Sequence, residues 1–330
     1  MAILPEISVF KNKQLDTPFK LHFQIRKTYT AFVNMLTREI PDTTPTLAVH
    51  VVEFIRNTTV LSDDKIAHRL QMIPIWSEYV DQFFTTEECT CKDYGCEKCE
   101  ITFKYEGTNT TNDPLNVSYN DLQSSNSKVF PFTMHPYFHN LSPKHMTDTT
   151  KDFSSLVVLA KNQSLSFVCK VKKGIGQRHA KWNPVIISFH RPIPIIEFNK
   201  NLLSLLSPEE KQRFVKSCPT KVFNFDSKKD QVQIGLEKST PILQIEDLSQ
   251  CTYCMDCVEE AGEILVGLHE KKKITELKEN FVSIKPNYTE FNYCIESVGN
   301  LTSLQILLSS LKIMKHKLLQ LQKWNSEFIK

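Results

Sequence analysis

The sequence predicts an α+β fold, and three observations carry that prediction. Segments of alternating apolar and polar residues lie near both chain ends. In FKLHFQIR, for instance, Phe19, Leu21, Phe23 and Ile25 alternate with polar neighbours, the period of a sheet with one wet face. Helical spacing appears in residues 28–40 and again at the C-terminus. Eight of the ten cysteines fall into two groups, Cys89, Cys91, Cys96 and Cys99, then Cys218 with Cys251, Cys254 and Cys257. A chain of 330 residues is long enough for two or three domains.

Composition excludes several function classes. The formal charge of +3 is too small to argue for nucleic acid or membrane binding by itself. No apolar run approaches a membrane-spanning length. The N-terminal MAILPEISVFKNK lacks the basic-then-apolar plan of a secretory signal. A reducing compartment is therefore expected, where clustered cysteines point to metal rather than disulfides. In that setting the N-x-S/T triplets at Asn57, Asn116, Asn140 and elsewhere are expected to be incidental. The 8 glycines form no G-x-G-x-x-G or Walker-type loop. A basic stripe with interleaved aromatics is missing too, so little or no direct DNA contact is expected.

Taken in order, residues 7–10 and 19–26 read as strands. Residues 28–40 read as a helix with Tyr29, Phe32, Val33, Leu36 and Ile40 on one face, stopped by Pro41. Residues 47–56 form a β-branched strand. NTTVLSDDKIAHRLQMIPI follows (residues 57–75), with an exposed acidic pair, Asp63 and Asp64, leading into a short helical turn that carries His68 and Arg69. CTCKDYGCEKC comes next, and ITFKYE is a strand. Residues 107–127 are polar and read as a long loop. SLVVLAKNQSLSFVCKVKKG supplies two strands. Residues 174–184 then combine Gly174, Gly176, His179, Lys181 and Trp182, a mixture suited to docking against another surface.

From about Ile193 the character changes. Ser207 as N-cap and Pro208 at the first position open a helix to Ser217. Cys218-Pro219 ends it, strands follow at residues 221–225 and 231–234, and residues 251–257 begin a second helix. FVSI and FNYCIE return as strands, and residues 297–300 are a turn containing Gly299. The last helix carries Leu304, Leu307, Leu311, Met314, Leu318 and Leu321 at spacings of three and four, widened by Leu308 and Leu319. That is a stripe for a facing helix.

The chemistry lies in the cysteines. Cys89, Cys91, Cys96 and Cys99, in a Cys-x-Cys…Cys-x2-Cys pattern, can wrap four thiolates around Zn2+. The second group has three readings. Cys251, Cys254 and Cys257 with the remote Cys218 can ligate one [4Fe–4S] cluster in the ferredoxin manner. The same thiolates can hold zinc, or the module can be empty. Cys169 and Cys294, each in an alternating apolar segment, read as buried small residues. No serine, cysteine or carboxylate is placed to complete a catalytic set with His68 or His179. Adjacent Asp63 and Asp64 lack the spacing of an acid–base pair.

Four of these motifs, NTTVLSDDKIAHRLQMIPI, CTCKDYGCEKC, GIGQRHAKWNPV and FNYCIESVGNLTSLQILLSSLKIMKHKL, occur in an order that resembles one family. It is that of the third-largest subunit of eukaryotic RNA polymerase II, with its archaeal counterpart and the bacterial α subunit. The resemblance implies a discontinuous dimerisation domain, an antiparallel sheet with two helices (residues 1–46 and 276–330). A mostly β insert domain with the zinc loop (47–190) and a small ferredoxin-like module (191–275) would complete the chain. It also implies a nuclear, non-catalytic assembly subunit. Its heterodimer partner would be the smaller α-like subunit, through the C-terminal leucine helix and the first helix. Asp63, Asp64, His68, Arg69 and residues 174–184 would face the second-largest subunit. Cys89, Cys91, Cys96 and Cys99 match the zinc ligands. The family's N-x-L-R-R is replaced here by Thr30-Ala31-Phe32-Val33-Asn34. The cysteine module resembles the iron–sulfur domain of the archaeal counterpart, which keeps open the paralogue shared by polymerases I and III. A stand-alone iron–sulfur redox protein is the more distant alternative.

Overall fold

The computed structural model describes residues 5–9, 17–91, 95–134, 155–225, 243–270 and 280–328. Its strands are β1 (Glu6–Val9), β2 (Lys20–Arg26), β3 (Thr46–Asn57), β4 (Glu100–Thr108), β5 (Leu115–Ser118), β6 (Gln123–Ser124), β7 (Ser155–Leu159), β8 (Ser164–Gly174), β9 (Val185–Phe198), β10 (Phe223–Phe225), β11 (Leu243–Ile245) and β12 (Val282–Ser297). Its helices are α1 (Thr30–Thr43), α2 (Asp63–Gln71), α3 (Lys200–Leu205), α4 (Pro208–Ser217), α5 (Asp256–Glu270) and α6 (Ser303–Phe328). No described helix is long and apolar enough to cross a membrane. Two four-stranded sheets, ordered β1-β2-β12-β9 and β3-β8-β4-β6, are accompanied by the two-stranded pairs β5-β7 and β10-β11. The proline-bearing β9 lies at a sheet edge, where Pro192 and Pro194 leave no inner ladder position without a donor.

The chain divides into two compact units. One comprises Met1–Ser8, Phe23–Thr30 and His190–Tyr293. Its core gathers Phe214, Phe223, Leu265, Leu268 and Phe281 with Cys218, Cys251 and Cys257. Within it, α4 opens as expected: Ser207 Oγ accepts the Glu210 amide, and the Glu210 carboxylate accepts the Ser207 amide in return. The other unit comprises Val9–His22, Ala31–Phe189 and Cys294–Lys330. In its core α2 sets Ile66 and Leu70 among Phe103, Leu165, Phe167 and Val171 of the β3-β8-β4-β6 sheet.

Several elements differ from the sequence reading. Helix α1 runs past Pro41 to Thr43. Pro41 has a helix-compatible φ, gives up its own N–H bond and crowds the carbonyl four residues back, but it lies in the last turn, where the Thr43 hydroxyl donates to the Glu39 carbonyl at 2.9 Å. Tyr29 lies before the helix and is exposed, leaving Val33, Leu36 and Ile40 as the buried face. Residues 107–127 are not one loop. They supply β5 and β6, and bury Val117 and Leu122 in the main core. The two terminal strands expected at 281–284 and 291–296 are one strand, β12. The strand expected at 231–234 lies outside the described residues.

The N-x-T triplets have a structural role. Asn57, Asn109 and Asn287 each accept, at Oδ1, the backbone amide and the hydroxyl of the threonine two residues on, at 2.7–3.0 Å. At Asn57 and Asn109 the amide nitrogen also closes the loop on a carbonyl four residues ahead. At these three places Asn-x-Thr is therefore a turn device. Other triplets differ: Asn116 Oδ1 accepts the Ser155 hydroxyl, Asn162 sits at positive φ, Asn300 Oδ1 is buried without a hydrogen-bond partner among the described residues, and Asn140 is outside the described residues.

Candidate metal centre and interaction surfaces

Cys89 and Cys91 follow a tight turn in which the Cys89 amide donates to the Thr85 carbonyl at 3.1 Å. Gly95, at φ +78°, turns the chain back toward Cys96. The amides of Cys99 and Glu100 both donate to the Cys96 carbonyl, at 3.0 and 2.9 Å, and β4 begins there. A clamp from Phe84 N–H to the Lys98 carbonyl at 2.9 Å closes the loop. The four Sγ atoms lie within 4.8 Å of one another. Cys89 to Cys96 and Cys91 to Cys99 are 3.5 Å apart, and Cys96 to Cys99 is 3.7 Å. A tetrahedral ion bound to sulfur at about 2.3 Å separates its ligands by roughly 3.8 Å. The donor set therefore fits one ion. Burial, reinforced by the Cys91, Cys96 and Cys89 thiols, pushes the Cys99 thiol up to about 12. A thiolate here needs a cation beside it.

The second cysteine group is arranged differently. Cys218, Cys251 and Cys257 are buried, and Cys254 is exposed. The group does not converge as the first does: among the described residues, Cys89, Cys91, Cys96 and Cys99 are the set whose donor atoms gather around one point. Burial, then the charges of Cys218, Cys254 and Cys251, pushes the Cys257 thiol up to about 11. Tyr253 and Met255 flank Cys254 at φ 58° and 67°. Left-handed backbone in two such side chains is strained, and α5 starts only at Asp256. Cys169 is buried in the main core, as expected, and burial alone pushes its thiol up to about 12. Cys294 is buried as well.

The remaining sequence-predicted residues occupy three places. Asp63 and Asp64 form the exposed first turn of α2, where carboxylates suit the helix dipole. Asp63 Oδ1 also accepts the Asn57 amide at 2.7 Å. His68 is exposed on α2, whereas Arg69 donates from Nη1 to the Leu156 carbonyl of β7 at 2.6 Å.

In residues 174–184, Trp182 is buried with its Nε1–H donating to the Lys172 carbonyl at 3.1 Å. Its own carbonyl accepts the buried Thr46 hydroxyl at 2.7 Å. Gly174 makes room for the indole, because a Cβ there would collide with the Trp182 ring. Gly176 lies against the Pro41 carbonyl. Lys181 Nζ sits 4.5 Å from the Trp182 ring centre, and His179 accepts the Lys181 amide. Gly174→Ala should expel the indole at a cost of about 2 kcal/mol. A lowered melting temperature with red-shifted tryptophan emission would show it; an unchanged spectrum would contradict this packing.

On α6 the leucine stripe divides. Leu307 and Met314 are 3% and 2% exposed and pack inward, with Ile306 and Ser310. Leu304, Leu308, Leu318, Leu319 and Leu321 are exposed, with Leu311 between the two sets. Lys317 ties the helix to Glu39 of α1 at 2.7 Å. The inward positions are not separable from the outward ones by sequence, since both are leucine-rich. His50, which carries no motif signal, also lies beside residues 174–184, with its Nδ1 3.0 Å from Lys181 Nζ.

Residues 52–189 match the family model described as the RNA polymerase Rpb3/RpoA insert domain. Over 96% of its length the chain is 30% identical to the DNA-directed RNA polymerase II subunit rpb3 of Dictyostelium discoideum, covering 94% of that protein. The chain belongs to the Rpb3/RpoA family of RNA polymerase subunits. It is 29% identical to subunit 3 of Arabidopsis thaliana RNA polymerases II, IV and V, over 90% of this chain and 85% of that one. To the rpac1 subunit of Dictyostelium discoideum polymerases I and III it is 26% identical, over 86% of this chain and 72% of that one. Rpb3-type subunits are structural rather than catalytic, and the four-thiol centre lies inside the segment matched by the insert-domain model.

Proposed function

We propose that this chain is the non-catalytic scaffold of nuclear DNA-directed RNA polymerase II. It forms a heterodimer with the smaller α-like subunit through α6 and α1, and docks the second-largest subunit through α2 and residues 174–184. The observation that carries this reading is the end-to-end likeness to a polymerase II subunit. The lesser likeness to the subunit shared by polymerases I and III points the same way. The dimerisation domain comprises residues 1–46 and 276–330, the insert 47–190 and the cysteine module 191–275. Zinc is the ion for Cys89, Cys91, Cys96 and Cys99. It is redox-inert and supplies two positive charges that let four clustered thiols ionise, holding the segment before β4 in shape.

A second metal reading concerns Cys218, Cys251, Cys254 and Cys257. The Cys-x2-Cys-x2-Cys spacing favours it, with Cys218 buried in the same core as Cys251 and Cys257. Such a cluster would not make the chain a separate redox protein.

Affinity purification of the tagged full-length chain under anaerobic conditions tests both parts. Mass spectrometry should find the smaller α-like and second-largest subunits, and metal analysis should find zinc. A brown absorbance near 400 nm (about where thiolate-bound iron–sulfur absorbs) should vanish in Cys251→Ser with Cys254→Ser. Colourless wild type containing zinc alone would remove the cluster. Recovery without other polymerase subunits would remove the scaffold.

A further inference from the structure

Lys181 differs from the other cations around it. Lys170 pairs with Glu53 at 2.6 Å, Lys172 with Glu100 at 3.6 Å, and Arg178 with Glu87. Lys181 instead meets His50 Nδ1 at 3.0 Å and the Trp182 ring at 4.5 Å. An ammonium has three N–H donors and no acceptor, so His50 Nδ1 accepts and the imidazole proton resides on Nε2. Two ammonium N–H groups and one imidazole N–H remain to be used. Among the described residues no carboxylate pairs with Lys181 or bonds His50.

The fold builds this corner. The β3–β8 register shifts between Val49 and Val51, which leaves His50 as the extra residue of a bulge. Bulges re-aim side chains in this way. Gly174 lets the indole seat, and Thr46 and Lys172 hold it by its carbonyl and Nε1–H. Burial lowers the pKa of Lys181. Burial, then the charges of Lys181, Lys172 and His179, lowers that of His50.

We propose that the corner formed by Lys181, His50 and Trp182 receives an aspartate or glutamate side chain of the large subunit that docks on residues 174–184. This rests on the docking reading above. One of the free ammonium N–H groups can donate to a carboxylate oxygen, while the buried indole and His50 fix where the ammonium stands. Nucleic acid is the poorer fit. The cations nearby are already paired with Glu53, Glu100 and Glu87, so no run of free charges tracks a backbone.

The test uses the full chain co-expressed with the smaller α-like and second-largest subunits. A zero-length carbodiimide should join Lys181 to an acidic residue of the second-largest subunit, located by mass spectrometry. Lys181→Gln should weaken capture of that subunit roughly tenfold and leave pairing with the smaller subunit unchanged. Two results would overturn the proposal while leaving the docking reading in place. One is Lys181→Gln binding like wild type; the other is Lys181 acetylated as fast in the complex as in the heterodimer. Wild type that fails to capture the second-largest subunit would overturn both.

Discussion

Leu308→Asp combined with Leu318→Asp should abolish pairing with the smaller α-like subunit while the chain itself stays folded. Both side chains are 50% exposed, on the face of α6 that carries Leu304 and Leu319. Burying each leucine against a partner helix contributes about 1.5 kcal/mol. An unpaired carboxylate in the same seam costs several kcal/mol more. Together the changes amount to a loss of about a thousandfold or greater in pairing. Leu307→Asp is the contrasting case. That residue is almost fully buried, so the charge would enter the chain's own core and lower the melting temperature before any partner is offered. Co-expression with size-exclusion chromatography reads pairing, and circular dichroism reads folding. Intact pairing in the double variant would remove the seam assignment.

Removing the metal is the second large effect. Zinc binding to such thiolate sets is worth about 10–16 kcal/mol in peptides, most of it spent on ordering the chain. Here the sheet core remains when the ion leaves, so the expected cost falls on the loop that the thiolates close. Chelation, or Cys96→Ser with Cys99→Ser, should release one zinc per chain. Amides of residues 84–91 and 95–100 should lose protection from hydrogen exchange, while those of β8 keep it. Docking of the second-largest subunit should weaken as well. Cys169→Ala serves as a control, since that thiol is buried in the sheet core and should release no zinc. Retained protection at Cys99 and Glu100 after chelation would show that the loop holds itself.

The sequence disclosed those parts of the fold whose signal is local. Alternation in residues 19–26 and 164–174 announced β2 and β8, and Ser207 with Pro208 announced α4 to the residue. The four close cysteines announced their convergence, because their spacing leaves little alternative. Tertiary signals were illegible. β5 is four residues long with one buried side chain, Val117, and forms because β7 lies beside it. The bulge at His50 depends on the β3–β8 register, which no run of residues in β3 encodes. The α6 stripe needed the rest of the fold to tell which leucines were already occupied. The Asn-x-Thr triplets at Asn57, Asn109 and Asn287 read as incidental in sequence, although asparagine and threonine bond to each other there.

One consequence of α6 concerns the cell rather than the complex. The helix is 26 residues long, about 39 Å, and from Leu318 to Glu327 every residue is exposed. Leu318, Leu319, Leu321 and Trp324 therefore stand as an adhesive lever on any copy made ahead of its partner. Exposed apolar surface of that kind is what chaperones and proteases recognise. Surplus copies would be cleared, so the abundance of this chain should follow the supply of its partner rather than its own rate of synthesis.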